Sequence, residues 1–418
     1  MIPITKPFLG DEEAEAARET ILSGWVTQGP KVQAFEEAFA HYVGSRYACA
    51  VSSCTAALHL ALLAAGVEPG DIVITVSHSF IATANAIRFC GAEPVFVDIA
   101  QDTYNIDLKN LKKVIAEDCI QRDGKFYFRD YKKLAVGESP LKHMLSQGDE
   151  SFNLGQVKAI VPVHQMGIPC NISAITEFAR EHGLAVVEDA ACAIGSEIFQ
   201  KKKKVWEKIG KPHGDAACFS FHPRKIITTG DGGMITTNKK DFDRQCRLLR
   251  HQGMSVPDTF RHSAKQIIFE EYITTAFNYR MTDIQAAVGI EQLKKLETIL
   301  NKRRELAALY DKLLNDIAQI QKPVIEDTFL PNWQSYPIRI LDAKSTSLKH
   351  IMQKLLDEGI ATRRGIMNSH QERAYRDYRW LLPVSEISRD TVLLLPLFPD
   401  MTVQNVEYIS IKLHEIFL

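Results

Sequence analysis

The run "CFSFHPRKIITTGDGG", Cys218 to Gly233, sets a single lysine, Lys225, between an apolar strand-like stretch and a pair of glycine-containing turns. Burial and the adjacent Arg224 both disfavour an ammonium ion there, so the amine is expected to lose its proton readily and to form a Schiff base with a carbonyl. Surface decoration is the ordinary alternative for such a lysine. In "AVVEDAACAIG", Glu188 and Asp189 end a run that reads as buried. A carboxylate so placed needs a positive partner, which is either a protonated ring nitrogen of a cofactor or an internal salt bridge or helix cap. After "YACAVSS", Cys54 and Thr55 open the helical run "TAALHLALLAAG". Free backbone N–H groups and the helix dipole favour a phosphate at such a point, unless the hydroxyl is simply an N-cap. Each feature is weak alone. Together they offer partners for an aldehyde, a pyridine nitrogen and a phosphate, the three functional ends of pyridoxal phosphate.

The elements that must position these residues are legible as a pattern. Between Tyr47 and Asn238 the short runs "YACAVSS", "DIVITVS", "EPVFVDI", "VKAIVPVH", "AVVEDAA", "DAACFSF" and "GGMITTN" recur. Most are separated by segments of helical period such as "FIATANAIRFCG" and "ISAITEFAREHG", closing near a Gly. This alternation predicts an α/β domain with a largely parallel sheet covered on both faces, and ligands of such sheets gather at the carboxyl ends of the strands. The last two runs lie too close for a helix between them, so antiparallel or irregular structure is expected there. A long helix from Thr282 to about Leu314, opened by a Thr282/Gln285 capping box, leads into a smaller C-terminal α+β domain; the division is placed at 1–252 and 253–418. The segment at about 116–156 is polar and weakly periodic, reads as an insertion, and could help to shape a substrate site. Lys201 to Lys204 read as a solvated loop.

Composition narrows the partners. The chain has 418 residues, 45% of them hydrophobic, with 50 basic and 51 acidic side chains, which gives no surface suited to neutralising a nucleic acid backbone. The first twenty residues lack the basic and apolar regions of a signal peptide, and no later apolar run suffices for a bilayer span; no membrane partner and a cytoplasmic location are expected. The eight cysteines are scattered without metal-ligand spacing, so they read as small buried side chains, with no metal.

These residues also carry a resemblance. Through "ILSGWVTQGPKVQAFEEAFA", "VSSCTAALHLALLA", "SFIATANAI", "EPVFVDI", "VPVHQMG", "EDAACAIGS", "CFSFHPRKIITTGDGGMITTN" and "FNYRMTDIQAAVG", the chain resembles the DegT/DnrJ/EryC1/StrS aminotransferases, which aminate keto sugars carried on nucleotides. The resemblance implies the fold type I architecture of pyridoxal-phosphate enzymes, with a mixed, mostly parallel seven-stranded sheet. It implies Lys225 as the Schiff-base lysine and proton shuttle, and Asp189 as the partner of the pyridine nitrogen. Phe80 would stack on the ring, Ser220 with Cys54 and Thr55 would hold the phosphate, and Asn278 would reach that phosphate from a neighbouring subunit of a homodimer. Val26, Thr27, Gln28, Gly29 and Tyr336 match the region that meets the sugar nucleotide.

Two positions depart from the family's pattern. Cys192 stands where relatives commonly have Gln or His beside the ring hydroxyl, and a thiol is a weaker hydrogen-bond partner. His251 is followed by Gln252 before Gly253, where His directly before Gly is usual. Relatives that dehydrate sugars put His at the lysine position, so Lys225 implies transamination. The expected activity is transfer of an amino group, with L-glutamate as donor and passing through pyridoxamine phosphate, to a nucleotide-linked keto sugar in a pathway such as polysaccharide biosynthesis. Amination of a keto-cyclitol is the enzymatic alternative, and a non-catalytic pyridoxal-phosphate-binding regulatory protein is the other.

Overall fold

The structure is a computed structural model that describes residues 1–147, 154–256, 267, 269–341 and 347–417. Helices α1 (Asp11–Leu22) and α2 (Pro30–Val43) precede β1 (Tyr47–Val51), α3 (Cys54–Ala64), β2 (Ile72–Val76), α4 (Ala82–Phe89), β3 (Glu93–Val97) and α5 (Leu108–Lys113). Next come β4 (Cys119–Arg122), β5 (Lys125–Phe128), α6 (Pro140–Gln147), β6 (Val157–Val161), α7 (Ile172–Glu181) and β7 (Ala185–Asp189). The hairpin β8 (Glu197–Gln200) and β9 (Val205–Lys208) leads to β10 (Ala216–Ser220), β11 (Gly233–Thr237) and α8 (Lys240–Arg250). The chain ends with α9 (Asp283–Leu313), β12 (Ile320–Gln321), β13 (Phe329–Leu330), β14 (Tyr336–Ile340), α10 (Leu348–Asp357), β15 (Arg363–Arg364), α11 (Pro383–Thr391), β16 (Val392–Leu395) and α12 (Val403–Phe417).

All seven apolar runs pair in one sheet, in the order β1-β11-β10-β7-β6-β2-β3. β11 is antiparallel to both its neighbours and the remaining pairs are parallel, as the missing crossover helix between β10 and β11 requires. Side chains alternate across the sheet. Ile72, Ile74 and Val76 of β2 join the core beneath α2 and α9, while Val73 joins the core beneath α3 and α8, which is why each strand reads as apolar throughout.

Two clusters fix the ends of this sheet nearest the site. Phe39 packs on Phe219 and Phe221 with ring centroids at 5.1 and 5.7 Å, and Phe35 lies 5.3 Å from Phe221. These rings pin the end of β10 and the start of the loop that carries Lys225. Glu36, buried on α2, receives Arg247 at 2.7 Å, also Arg250, and the Ala50 N–H at 2.8 Å, tying α2, β1 and α8 together.

The capping box at Thr282 and Gln285 forms as expected, and α9 runs for 31 residues. Its Asp283 carboxylate accepts the N–H groups of Gly29, Lys31 and Val32 at 2.8, 3.1 and 2.9 Å, so it closes the N-terminus of α2. Leu296, Ile299 and Leu300 of α9 pack in the core of the large sheet, and Leu306, Ala307 and Tyr310 in the core of a second, antiparallel sheet ordered β12-β14-β16-β15. The first residues join that second sheet's surroundings: Ile2 pairs with Ile360, and the Ile4 carbonyl accepts the Leu397 N–H at 3.2 Å.

The described part of the inserted segment, 116–147 and 154–156, forms regular elements despite its polarity. It forms the β4–β5 hairpin and α6, and it sends Cys119, Phe128, Leu134 and Leu141 into the main core. It abuts the amino-terminal ends of the strands, where Gln156 O accepts the Ile72 N–H at 2.7 Å. None of its described residues borders the cavity described below, and residues 148–153 lie outside the described residues. Lys201 to Lys204 lie exposed in the turn between β8 and β9, where Lys203 reaches Glu207 at 3.1 Å.

Candidate active site

A cavity of about 630 Å³ opens at the carboxyl ends of β7 and β10, between the large sheet and the edge of the small one. Cys54, Thr55, Phe80, Asp189, Cys192, Ser220 and Lys225 all border it. The strand-end rule thus places seven expected residues, drawn from four different parts of the chain, around one space.

Asp189 ends β7 and is buried. Its Oδ2 accepts the Thr83 hydroxyl at 2.7 Å and its Oδ1 accepts the Ala191 N–H at 3.1 Å; the Thr83 oxygen in turn lies 2.9 Å from Ser79 Oγ. Glu188, one residue earlier, faces the other side of the sheet. It is satisfied there by His164 Nε2 at 3.1 Å and by the N–H groups of His213 and Gly214, each at 2.9 Å. Strand alternation therefore separates the two carboxylates, leaving Glu188 structural and Asp189 in the cavity.

At the start of α3 the cap is Ser53, whose hydroxyl accepts the Ala56 N–H at 3.1 Å. Thr55 is not the cap, so its hydroxyl stays at the cavity wall together with the unbonded first amides of the helix. Gly233 makes this arrangement possible. A Cβ there would lie 2.5 Å from the Ser53 carbonyl carbon and oxygen and 2.7 Å from Cys54 N, so only glycine lets β11 approach the helix start so closely. Ser220 completes the wall at the end of β10.

Lys225 Nζ donates to Cys192 Sγ at 3.0 Å. Burial lowers the amine's pKa, but the Cys192 sulfur and the Asp189 carboxylate more than offset it, and the net shift is upward. This corrects the expectation of a depressed value. Arg224, its neighbour in sequence, is solvent-exposed, and the groups nearest in space decide the outcome. Burial and Arg224 instead depress His222. Cys192 is the one cysteine of the eight that is not buried. Phe80, 59% exposed, hangs over the mouth.

Other expected residues lie elsewhere. Tyr336 is fully buried in the small-sheet core, stacked on Tyr310 at 4.9 Å with its hydroxyl on Asp311; Gln334 and Ser335 reach the cavity in its place. Val26, Thr27, Gln28 and Gly29 lie beside the N-terminus of α9, with Thr27 O accepting the Asp283 N–H at 3.1 Å, and they do not border this chain's cavity. Asn278 is exposed and also outside it, while His251 Nδ1 lies 3.0 Å from Arg280 Nη1. Residues not singled out from sequence include Thr83, which orients Asp189, and Asn332. The Asn332 amide donates to the carbonyls of Cys192 and Ile194, both at 2.8 Å, while its oxygen accepts the Gln334 N–H at 2.9 Å. A Thr two residues before "NAIRF" carries no signal that it will meet a residue 106 positions away.

The site fits pyridoxal phosphate. A helix start left open by a glycine suits a phosphate, a buried carboxylate held by two donors suits a cationic ring nitrogen, and the amine lies between them at the cavity wall. Comparison with known proteins agrees. Residues 7–414 match the model of the DegT/DnrJ/EryC1/StrS aminotransferase family. The uncharacterized protein MJ1066 of Methanocaldococcus jannaschii is 34% identical over 410 residues, covering 97% of this chain and 95% of its own. Among solved structures, Helicobacter pylori PseC, an aminotransferase involved in the biosynthesis of pseudoaminic acid, superposes with a TM-score of 0.80 at 27% identity, covering 100% of this chain and 99% of its own. DesI, solved in the presence of its TDP-sugar product, gives 0.79 at 26% identity, with 99% and 92% covered. This chain belongs to the DegT/DnrJ/EryC1/StrS family and is a pyridoxal-phosphate-dependent aminotransferase of fold type I.

Proposed function

We propose that the enzyme moves an amino group from L-glutamate to a nucleotide-linked keto sugar, in two half-reactions at one site. The reading is carried by the gathering of the Lys225 amine, the Asp189 carboxylate and the open start of α3 around one cavity of about 630 Å³, a size that accommodates a cofactor together with part of a second ligand. It is supported by the sugar chemistry of the structurally similar enzymes. When bound, pyridoxal phosphate supplies an electrophilic carbon and a ring that withdraws electrons from the donor's α-carbon.

The protein's own residues would divide the work as follows. The first amides of α3, with Thr55 and Ser220, would hold the phosphate. Asp189 would face the ring nitrogen, its two oxygens kept in place by Thr83 and Ala191. Phe80 would cover the ring face and exclude water. Lys225 would anchor the cofactor and then carry at Nζ the proton removed from the donor. Because donor and acceptor use one site in turn, ping-pong kinetics should result.

The same reading makes the protein a cytoplasmic homodimer serving polysaccharide or related amino-sugar synthesis. Support for the dimer comes from Asn278, which stays exposed outside its own chain's cavity, and from exposed apolar side chains near that segment, among them Phe89, Tyr272 and Ile273. Among the described residues no helix is long and apolar enough to cross a membrane. The test is an absorbance spectrum of the purified protein before and after L-glutamate, beside Lys225→Ala. The yellow band of the lysine-linked cofactor should give way to the pyridoxamine band in the wild type only. A wild type that shows no such band when supplied with pyridoxal phosphate would remove Lys225 from its assigned role.

A further inference from the structure

The rim of the cavity holds cationic side chains that the cofactor does not need. Arg363 lies on β15, at the edge of the small sheet, and pairs with Leu394; Arg364 pairs with Leu393. Paired residues in an antiparallel ladder point to the same face. Leu394 belongs to the core beneath the large sheet and Leu393 to the small-sheet core. Arg363 therefore faces the cavity, while Arg364 borders both the cavity and a groove on the other side, beside Met352 and Asp390. Across the mouth, Arg224 precedes Lys225, and its carbonyl is held by Gln334 Nε2 at 2.8 Å.

Arg224 and Arg363 are exposed and border the cavity, and among the described residues neither has a carboxylate partner at ion-pair distance. Elsewhere the arginines Arg88, Arg247, Arg250 and Arg389 are each paired with an acidic side chain. Among the described residues the one carboxylate besides Asp189 at the cavity, Asp231, acts on His222.

We propose that Arg363 and Arg224 form a two-armed clamp for the oxyanions of the ligand that enters above Lys225. One arm stands on the small sheet and the other on the loop that carries the catalytic lysine. The proposal rests on the two-substrate reading above. A guanidinium fork binds carboxylate or phosphate oxygens in a bidentate fashion that lysine cannot reproduce. Two ligand groups share this chemistry, the carboxylates of the amino donor and the diphosphate of a nucleotide. A ligand gripped by both arms would also hold the two sheets in one relative position.

The test uses the cofactor-loaded protein with Arg363→Gln, Arg224→Gln, the double variant, and Arg364→Gln for comparison. Two arms separate the sources: calorimetric binding of thymidine or uridine diphosphate, and binding of 2-oxoglutarate. In at least one arm Arg363→Gln and Arg224→Gln should each weaken binding by roughly 10- to 100-fold, with a reduced salt dependence, and Arg364→Gln by less. Melting temperatures should stay unchanged, since both side chains are exposed. Loss in the diphosphate arm assigns the clamp to the nucleotide, and loss in the dicarboxylate arm assigns it to the donor. Wild-type binding of both probes by the double variant would overturn the clamp, even in an enzyme that aminates nucleotide sugars. A wild type that binds only 2-oxoglutarate, through these arginines, and turns over no nucleotide sugar would retain the clamp and overturn the sugar reading instead.

Discussion

Replacing Thr83 by valine isolates the contribution of a single hydroxyl to the cofactor site. Valine keeps the shape of threonine and removes only the donor that reaches Asp189 Oδ2 at 2.7 Å. The carboxylate is buried, and its remaining bond is to the Ala191 N–H at 3.1 Å. A hydrogen bond to a charged group contributes about 1.5–3 kcal/mol. Since about 1.4 kcal/mol corresponds to a factor of ten, affinity for pyridoxal phosphate should fall roughly ten- to hundredfold if the charge on Asp189 is what retains the ring. Titration of the cofactor-free protein by absorbance measures this directly. Thr83→Ser, which keeps the donor, should bind nearly as the wild type does. Ser79→Ala, one bond further out at 2.9 Å, should lose less than Thr83→Val. A valine variant with wild-type affinity would refute the reasoning. So would a serine variant as weak as the valine one, because the methyl group would then be the cause.

Other consequences are equally direct. Cofactor capture needs the neutral amine of Lys225, whose pKa is held up against burial by the Cys192 sulfur and Asp189. Cys192→Ala should therefore lower that pKa, and the pH profile of cofactor capture, followed by stopped-flow absorbance, should move to lower pH; a move to higher pH would contradict the assignment. Gly233→Ala would force a methyl group to within 2.5 Å of the Ser53 carbonyl and should displace the start of α3, so that the purified protein retains much less cofactor, measured as the ratio of cofactor to protein absorbance. Glu36→Ala leaves Arg247 and Arg250 without their shared carboxylate and should destabilise the fold by about 3–5 kcal/mol, seen as a large drop in melting temperature. For the same group, burial raises the pKa, but the two guanidinium charges prevail and the net value is lowered. Its contribution to stability should accordingly be present above the usual value of 4.5 and be lost as pH falls through the lower folded value, visible in acid-unfolding curves of wild type against Glu36→Gln.

The sheet was legible because each strand is buried on both faces and so carries its apolar signal in a few consecutive residues. Lys225, Asp189 and Cys54 were legible for the same local reason, since each stands just beyond such a run. What the sequence hid depends on contacts between distant parts of the chain. Arg224 is next to Lys225 in sequence, yet Cys192 and Asp189 set its protonation, because a strand end brings them within reach. Tyr336 and Ser335 are neighbours whose side chains point to opposite faces, and only the placement of the small sheet decides which one meets the cavity. The insertion looked irregular because its apolar residues, Cys119, Phe128, Leu134 and Leu141, are spread over a hairpin, turns and a short helix, so no single period links them. The segment from Val26 to Gly29 is fixed by the start of α9, a contact between parts of the chain far apart in sequence that leaves no trace in local periodicity.

Helix α9 spans about 46 Å if regular, at 1.5 Å per residue over its 31 residues. Along that length Asp283 fixes the start of α2 and Gln292 Oε1 accepts the Thr228 N–H at 3.2 Å, just past Lys225. Further on, Arg303, buried without a carboxylate and lowered by burial to about 10, donates to the carbonyls of Trp333, Gln334 and Leu397. The helix is thus a common datum from which both Lys225 and the rim of the cavity take their coordinates. A rim side chain on the small sheet such as Arg363 can be exchanged without touching the loop that carries Lys225, whereas Gln334, which holds the Arg224 carbonyl, cannot. A scaffold of this kind can acquire a new acceptor through a few rim substitutions while its chemistry stays in register.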